Sequence, residues 1–454
     1  MARPKPAPTL EEALRRVRVD RYFELFQTVG TGTEVVSPRG RYRHWHTLRR
    51  LTPPEGVTPD EWWLSVKLAR RSILRPLPFT ATDGTAFEYG TPDQALELLH
   101  FIDQHASGEV AMPEAVVGDE GARRRYLVNS LIEEAIRSSQ LEGASTTRRV
   151  AKEMIRSGRA PRDRSERMIL NNFRALEFIR DGIGDRLTPE AVLRLHEILT
   201  EGTLDNPDAA GRLQRPDEER VGVWDERANE EVHTPPAATE LEGRLDLLCR
   251  FANGDVSTVG FLHPVVRAIL LHFVLAYDHP FEDGNGRTAR ALFYWSMRRQ
   301  GYWVTEYLSI SRIFREGPAR YARAFLYTET DELDVTYFVL FHLAVIKRAI
   351  HELHEYLERK VREVREVERS IRMSDRFNHR QLALLGDAMR HPDRQYSFAS
   401  HARSHKVSMQ SARNDLIALS DQDLLVRRRL GRKLVFLPPD DLAQQLGAEH
   451  VSGG

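Results

Sequence analysis

Apolar residues recur at helical spacing along most of this chain. From about Pro92 onward, Ala95, Leu96, Leu98, Leu99, Phe101 and Ile102 form one such series, and Leu127, Leu131, Ile132, Ala135 and Ile136 another. Each predicts a helix that buries one face. The pattern continues over residues 168–179 and 189–199, with Thr188 placed as a cap and Pro189 in the first turn. It resumes over 240–252, 264–277 and 288–299. Residues 211–236 break it. There, two apolar runs, 221–224 and 232–234, flank the polar turn 225–231 and predict a short β-hairpin inside a helical domain. Residues 1–30 are basic and only partly helical in pattern, and 36–56 is rich in turn formers and aromatics.

Toward the C-terminus, Leu343, Ile346, Ile350, Leu353, Leu357, Val361, Val364 and Ile371 predict one long helix with a charged outer face. It could pack within the chain or form the seam of a homodimer, and its heptads are too few to choose. Beyond it, Leu382, Leu385 and Met389 mark a short helix, a second starts near Ser397, and a third runs from about Ser408 through Ala412, Leu416 and Leu419. Runs at 424–429 and 433–437, joined by 430–432, predict a hairpin. Three short helices followed by a hairpin suggest a winged helix-turn-helix domain over residues 376–454. Between Arg376 and Leu437 stand 12 Lys and Arg against five Asp. That basic excess suits duplex DNA, with the third helix in the major groove and residues 427–433 on the backbone. It suits equally a protein-docking or dimerisation module with a solvated basic face.

Composition narrows the picture only a little. The chain has 454 residues, 41% hydrophobic and 29% charged, with 66 basic residues balancing 66 acidic ones. This is ordinary for a globular protein of two or three domains, and the net charge names no partner. The single cysteine, Cys249, excludes an intrachain disulfide and lies in an apolar helical run, where a small buried hydrophobe is expected. No run approaches the ~20 apolar residues of a membrane span, and the N-terminal residues lack the apolar core of a signal peptide, so a cytoplasmic protein without membrane contact is expected.

The chemistry concentrates between two predicted helices, in the segment HPFEDGNGRTAR from His279 to Arg290. A Gly-Asn-Gly loop (Gly284, Asn285, Gly286) that enters a helix offers backbone N–H groups at the positive end of the helix dipole, which makes an anion cradle. Arg287 and Arg290, three residues apart, are expected on one helix face, gripping phosphate oxygens. Asp283 can hold a Mg²⁺ that bridges phosphates, and His279 is placed as a general base. Read from the residues alone, this is a phosphate site beside a base, with the reaction unspecified. No GxxxxGK[ST] segment is present, which argues against a P-loop ATPase.

The same segment matches in full the motif of the Fic family, and the resemblance spans roughly residues 120–345, including Arg212, the 221–236 region and residues 308–311. It implies a Fic-type helical core with a β-hairpin flap over 120–345, after a partly helical N-terminal region 1–119 and before a linking helix 346–375. The whole is then a mainly α protein ending in the winged helix. It also implies a protein adenylyltransferase that moves AMP from ATP to a Ser, Thr or Tyr hydroxyl of a protein target, itself included. His279 would deprotonate the hydroxyl, Asp283 would hold Mg²⁺, and Gly284, Asn285 and Gly286 would form the anion hole. Arg287 would meet the β-phosphate and Arg290 the γ-phosphate. Val221, Val223 and Val232 would belong to the flap that holds the target by strand addition. Related proteins transfer UMP, phosphocholine or phosphate, and no motif residue reads the base.

Upstream, the segment from Ser138 to Gly143 (SSQLEG) resembles the family's inhibitory motif. By that likeness Glu142 pairs with Arg290 and takes the place of the γ-phosphate. Some members use the same glutamate to remove AMP, so a de-AMPylase is an alternative. A DNA-binding regulator with a Fic sensor domain is another.

Overall fold

The structure, a computed structural model, describes residues 3–29, 33–107, 120–225, 230–372, 376–390, 394–430, 433–439, 442 and 445–446. It divides into two compact units, one of residues 1–110 with 130–350 and one of 111–129 with 351–454.

The helices that organise the first unit are α1 (Pro59–Arg71), α2 (Asp93–Ala106), α3 (Glu120–Leu141), α4 (Arg164–Asp181), α5 (Pro189–Thr200), α6 (Leu241–Asn253), α7 (Pro264–Asp278) and α8 (Asn285–Arg299). Helix α3 crosses the division between residues 129 and 130, and a long helix, α9 (Thr336–Arg372), crosses it at residue 350. Helices α7 and α8 pack against each other at the centre, flanked by α4, α5 and α6. Helix α7 is buried on nearly every side, from Val265 to Asp278. This follows from a sequence that is apolar all round rather than along one stripe. Expected starts hold for α5, where the Thr188 side chain caps the Ala191 N–H and Pro189 opens the helix. Helix α8 begins at Asn285, three residues before the expected start, so the Gly-Asn-Gly loop already supplies its first turn. Cys249 is buried in α6. Among the described residues no helix is long and apolar enough to cross a membrane.

Two antiparallel hairpins lie among the described residues of this unit. The first, β1 (Arg75–Thr80) with β2 (Ala86–Tyr89), had no counterpart in the apolar pattern, because Pro76 and Pro78 interrupt it. The second is the expected one, β3 (Val223–Asp225) with β4 (Glu230–His233), with Val223 opposite His233 and a bulge before Trp224. The middle of its turn, residues 226–229, lies outside the described residues.

The first 110 residues are not a separate body. Arg70 of α1 is 1% exposed and donates to Tyr337 Oη at 2.6 Å, to the Val36 carbonyl at 3.2 Å and to the Arg43 carbonyl at 2.9 Å. Its guanidinium also lies over the Tyr42 ring at 3.5 Å. Tyr337 and Tyr42 donate in turn to Asp331 and Asp334, each at 2.6 Å, and Lys67 donates to Asp331 at 2.8 Å. Two buried carboxylates just before α9 thus face two buried cations of α1, Lys67 directly and Arg70 through the two tyrosines. The sequence carries no pattern for such a contact between segments so far apart in the chain.

The second unit contains α10 (His379–Arg390), α11 (Phe398–His405), α12 (Met409–Asp421) and a hairpin, β5 (Val426–Leu430) with β6 (Lys433–Leu437). Its core gathers Phe377, Leu384, Leu385, Leu416, Leu419 and Phe436. Leu424 and Leu425, expected in the hairpin, instead lie buried before it, and Tyr396 pairs with Phe436 beyond its edge.

Removing Arg70 leaves the buried Tyr337 hydroxyl and two buried carbonyls without their donor and takes a positive charge from beside two buried carboxylates, at about 3–5 kcal/mol. Arg70→Ala is therefore expected to lower unfolding free energy by about that amount in urea titrations. Arg70→Lys should recover little of it, because an ammonium cannot span three divergent acceptors.

Candidate active site

Helix α7 ends at His279, which takes a left-handed conformation (φ 45°, ψ 53°) while its N–H still bonds the Leu275 carbonyl at 3.0 Å. A side chain in this region carries backbone strain of order 1–2 kcal/mol. Arg220, just before β3, holds it there. Its guanidinium donates to the carbonyls of Asp278 (2.9 Å), His279 (3.2 Å) and Pro236 (2.8 Å), and it also bonds the Gln214 side chain. Gln214 in turn donates its N–H to the Pro280 carbonyl at 2.9 Å. His233 on β4 lies within 2.7 Å of the Tyr277 carbonyl and 3.1 Å of Glu329. Burial opposes its charge, but Glu329 and that carbonyl together raise its pKa.

The His279 ring is only partly exposed. Burial, with the nearby His233 and Arg220, depresses its pKa to about 4, so the ring is neutral at physiological pH. That is the form able to accept a proton.

The loop after His279 is closed by its own side chains. Phe281 is fully buried and stacks on His196 of α5 at 3.8 Å, nearly parallel. The Asn285 side chain accepts from the Phe281 N–H at 2.9 Å and donates to its carbonyl at 2.7 Å. His196 accepts the Gly211 N–H at Nδ1, which leaves Nε2 to donate to the Asp283 carbonyl at 2.8 Å. Burial holds the His196 pKa at about 4 and keeps this neutral tautomer. Gly284 has φ 87°, and a Cβ there would meet Thr200 Cγ2 at 2.9 Å. Glycine is required on both counts.

Helix α8 then opens with the N–H groups of Asn285, Gly286 and Arg287, for which no acceptor is found among the described residues. These are the orphan donors of a helix N-terminus and an anion site by construction. Arg290, one turn in, is 2% exposed. Its Nε donates to Ser138 Oγ at 2.9 Å, and its Nη2 donates to the Ser138 carbonyl at 3.1 Å and to Glu142 Oε1 at 2.8 Å. A Cβ placed on Gly286 would lie 2.3 Å from the same Glu142 oxygen. The carboxylate therefore sits directly on the first turn of α8, where an anion is wanted.

The structure brings His279, Gly284, Asn285, Gly286 and Arg290 together with Ser138 and Glu142, the last lying 148 residues before Arg290 in the chain. It separates the two arginines. Arg287 is fully buried and turns to the Leu199 carbonyl (2.9 Å) and the Asp283 carboxylate (3.2 Å), away from Arg290. Its guanidinium braces Asp283 rather than facing the cradle. The Asp283 side chain is 41% exposed and fits a Mg²⁺ that arrives with phosphate ligands. No cluster of three or more His, Cys, Asp or Glu that could enclose a metal occurs among the described residues. Val221, Val223 and Val232 are half-buried along the hairpin that carries Arg220 and His233. A buried carboxylate that sequence reading missed, Glu134, accepts from Ser309 (2.8 Å) and from both the Ser311 N–H and hydroxyl. Burial raises its pKa against those bonds and Arg290.

Comparison with known proteins bears on this geometry. The family model described as "Fic/DOC family" matches residues 186–297, from the start of α5 through almost all of α8. The chain carries a Fic/DOC family domain. Curated relatives include a protein adenylyltransferase Fic of Nematostella vectensis, 24% identical over 212 residues, covering 45% of each chain. Another, from Drosophila sechellia, is 28% identical over 193 residues, covering 41% of this chain and 36% of that one. The chain thus matches less than half the length of these relatives. A Fic family protein from Desulfovibrio desulfuricans G20 shares the fold over 81% of this chain and 98% of its own, with TM-score 0.51 and 18% identity. The residues that hold the Fic/DOC loop in place, Arg220 and His196 among them, work through backbone carbonyls and so escape motif reading.

The His279 ring should titrate by NMR with a midpoint near pH 4. Arg220→Ala removes a nearby cation and should move that midpoint upward. A midpoint close to the ordinary histidine value in the intact protein would show the ring solvated and the clamp ineffective.

Proposed function

We propose that this protein transfers AMP from ATP to a hydroxyl of a protein target, and that Glu142 holds the site idle. One observation carries the reading: a neutral histidine stands beside a helix N-terminus with free N–H donors, and a carboxylate of the same chain, paired with Arg290, lies against its first turn. The choice of reaction is supported by the curated relatives, which are protein adenylyltransferases named Fic.

In this reading His279 takes the proton from a Ser, Thr or Tyr hydroxyl as the oxygen attacks the α-phosphorus. A new phosphorus–oxygen bond forms, the bond to the bridging oxygen breaks, and pyrophosphate leaves with the charge. The backbone N–H groups of Asn285, Gly286 and Arg287 stabilise the phosphate oxygens as that charge develops. Asp283, held by Arg287 and by the His196 bond to its carbonyl, would carry a Mg²⁺, which neutralises phosphate charge when bound. Strand addition along β3 and β4 would hold the target beside His279, because Arg220 and His233 tie that hairpin to the end of α7.

The brake follows from the same distances. A triphosphate whose γ-phosphate reaches for Arg290 meets Glu142 already there, and like charges in one site repel. Glu142 lies one residue beyond the end of α3, so glycine there leaves the helix intact.

A charge-assisted bond of this kind is worth about 1.5–3 kcal/mol, so its loss should raise modification roughly 10- to 100-fold. Glu142→Gly with labelled ATP and Mg²⁺ is expected to show that rise in self-labelling. His279→Ala on that background should abolish it, and intact mass should report an added AMP. The rate of Glu142→Gly should stay level as pH falls and halve near pH 4. Equal labelling of wild type and Glu142→Gly would sink the brake, and an added mass other than AMP would change the transferred group.

A further inference from the structure

The active-site residues named above all belong to the first unit. Helices α11 and α12 are joined by a short turn of Lys406, Val407 and Ser408, with Lys406 in a left-handed conformation and the Ser408 side chain capping α12. The inner face of α12 is fixed by a buried ion network. Asp415 accepts from Asn378 at 2.8 Å, from Arg380 at 2.7 Å and from His401 at 3.2 Å. Those bonds, set against burial, hold its pKa down at about 2. With Ala412, Leu416 and Leu419 buried beside it, α12 has one possible rotation.

That rotation leaves Met409, Gln410, Arg413 and Asn414 exposed on the first two turns. Gln410 and Asn414 are bonded to each other at 3.1 Å, one turn apart. From Arg394 to Asn414 the chain has no acidic residue. Arg403 near the end of α11 and Lys406 in the turn before α12 are exposed, as are Arg428 and Arg429 on β5. Among the described residues none of these four, nor Arg413, has an ion-pair partner.

We propose that this unit binds duplex DNA, with the start of α12 in the major groove and Arg428 and Arg429 on the phosphate backbone. A two-helix element with a short turn presents the first residues of its second helix to base edges. The side chains there suit base reading. Arginine matches guanine, and Gln or Asn matches adenine, through paired hydrogen bonds. An acidic protein surface would answer the charge but would leave these amide groups without a reason. A-form RNA has a major groove too narrow to admit the helix.

The test uses the full chain and a fluorescent DNA duplex three helical turns long, of random sequence, read by anisotropy. Binding should weaken roughly 10-fold or more between about 50 and 200 mM salt. Replacing Arg413, Arg428 and Arg429 together by alanine should weaken it at every salt concentration and lower the salt slope by about two to three units. All three side chains are exposed, so the thermal melt should be unchanged. His279→Ala should bind as wild type does. Selection from genomic fragments should enrich a sequence whose preference is relaxed in Gln410→Ala. The proposal is overturned by absence of binding at low salt, or by an unaltered slope in the triple variant. It is overturned equally by an RNA duplex that binds as tightly, or by a triple variant that loses self-association in sedimentation while binding DNA unchanged.

Discussion

The contact between Arg290 and Glu142 is the constraint around which the active site is arranged. Arg290 is 2% exposed and cannot return to water without unfolding α8, whereas the Glu142 side chain is 27% exposed at the end of its helix. The two partners are therefore unequal. The carboxylate can leave for solvent and recover its hydration; the guanidinium stays and must be met by some negative charge. Burial works against the Arg290 charge, and Glu142 and Glu134 restore it, with Glu142 the stronger of the two. A site of this kind does not open empty. In the proposed transfer, the incoming phosphate is itself the only cheap replacement for what it displaces, so release and substrate alignment are one exchange.

The rest of the site follows from holding two backbone ends in register. One is the left-handed His279 at the end of α7, and the other is Gly284 at the start of α8. The loop between these ends is short, and each end is pinned from outside it: Arg220 and His233 from the hairpin, His196 from α5. The pins act on carbonyls rather than on reacting side chains. This explains why a β-hairpin belongs in a helical core. A single helix could not offer Arg220, from the approach to β3, and His233, from β4, to successive carbonyls at the end of α7. The hairpin that would receive a target segment is thus the same element that sets the histidine, which couples target placement to the geometry of the base.

How much of this was legible in the sequence depends on where the information lies. The residues from His279 to Arg290 are contiguous, so the cradle, the base and the helix start could be read together. The hairpin could be read because two apolar runs flank a polar turn. The pairing of Glu142 with Arg290 spans 148 residues, and only the resemblance to Fic proteins suggested it. Arg220, His196 and Arg70 could not have been singled out, because a side chain that bonds backbone carbonyls leaves no periodic trace. Arg287 shows the opposite failure. Its spacing from Arg290 promised a shared face, but the carbonyl of Leu199 at the end of α5 and the Asp283 carboxylate draw it the other way. Strand β1 was hidden by its own prolines, which an edge strand tolerates.

The second unit makes a related physical point about buried charge. Asp415 lies on the inner face of α12, where an apolar residue would pack at lower desolvation cost. Its three partners come from α11 and from the start of α10, so the network is satisfied only in one rotation of α12. An apolar core alone tolerates small rotations of a short helix, because Leu and Ala contacts are not directional. A buried carboxylate with three fixed donors does not. Such directional fixing is of little use to a helix that merely covers a core. It matters for one whose exposed residues, Gln410, Arg413 and Asn414, must meet a partner at defined angles. The buried network and the polar outer face are thus two sides of one requirement, and the proposal that this face reads a duplex accounts for both.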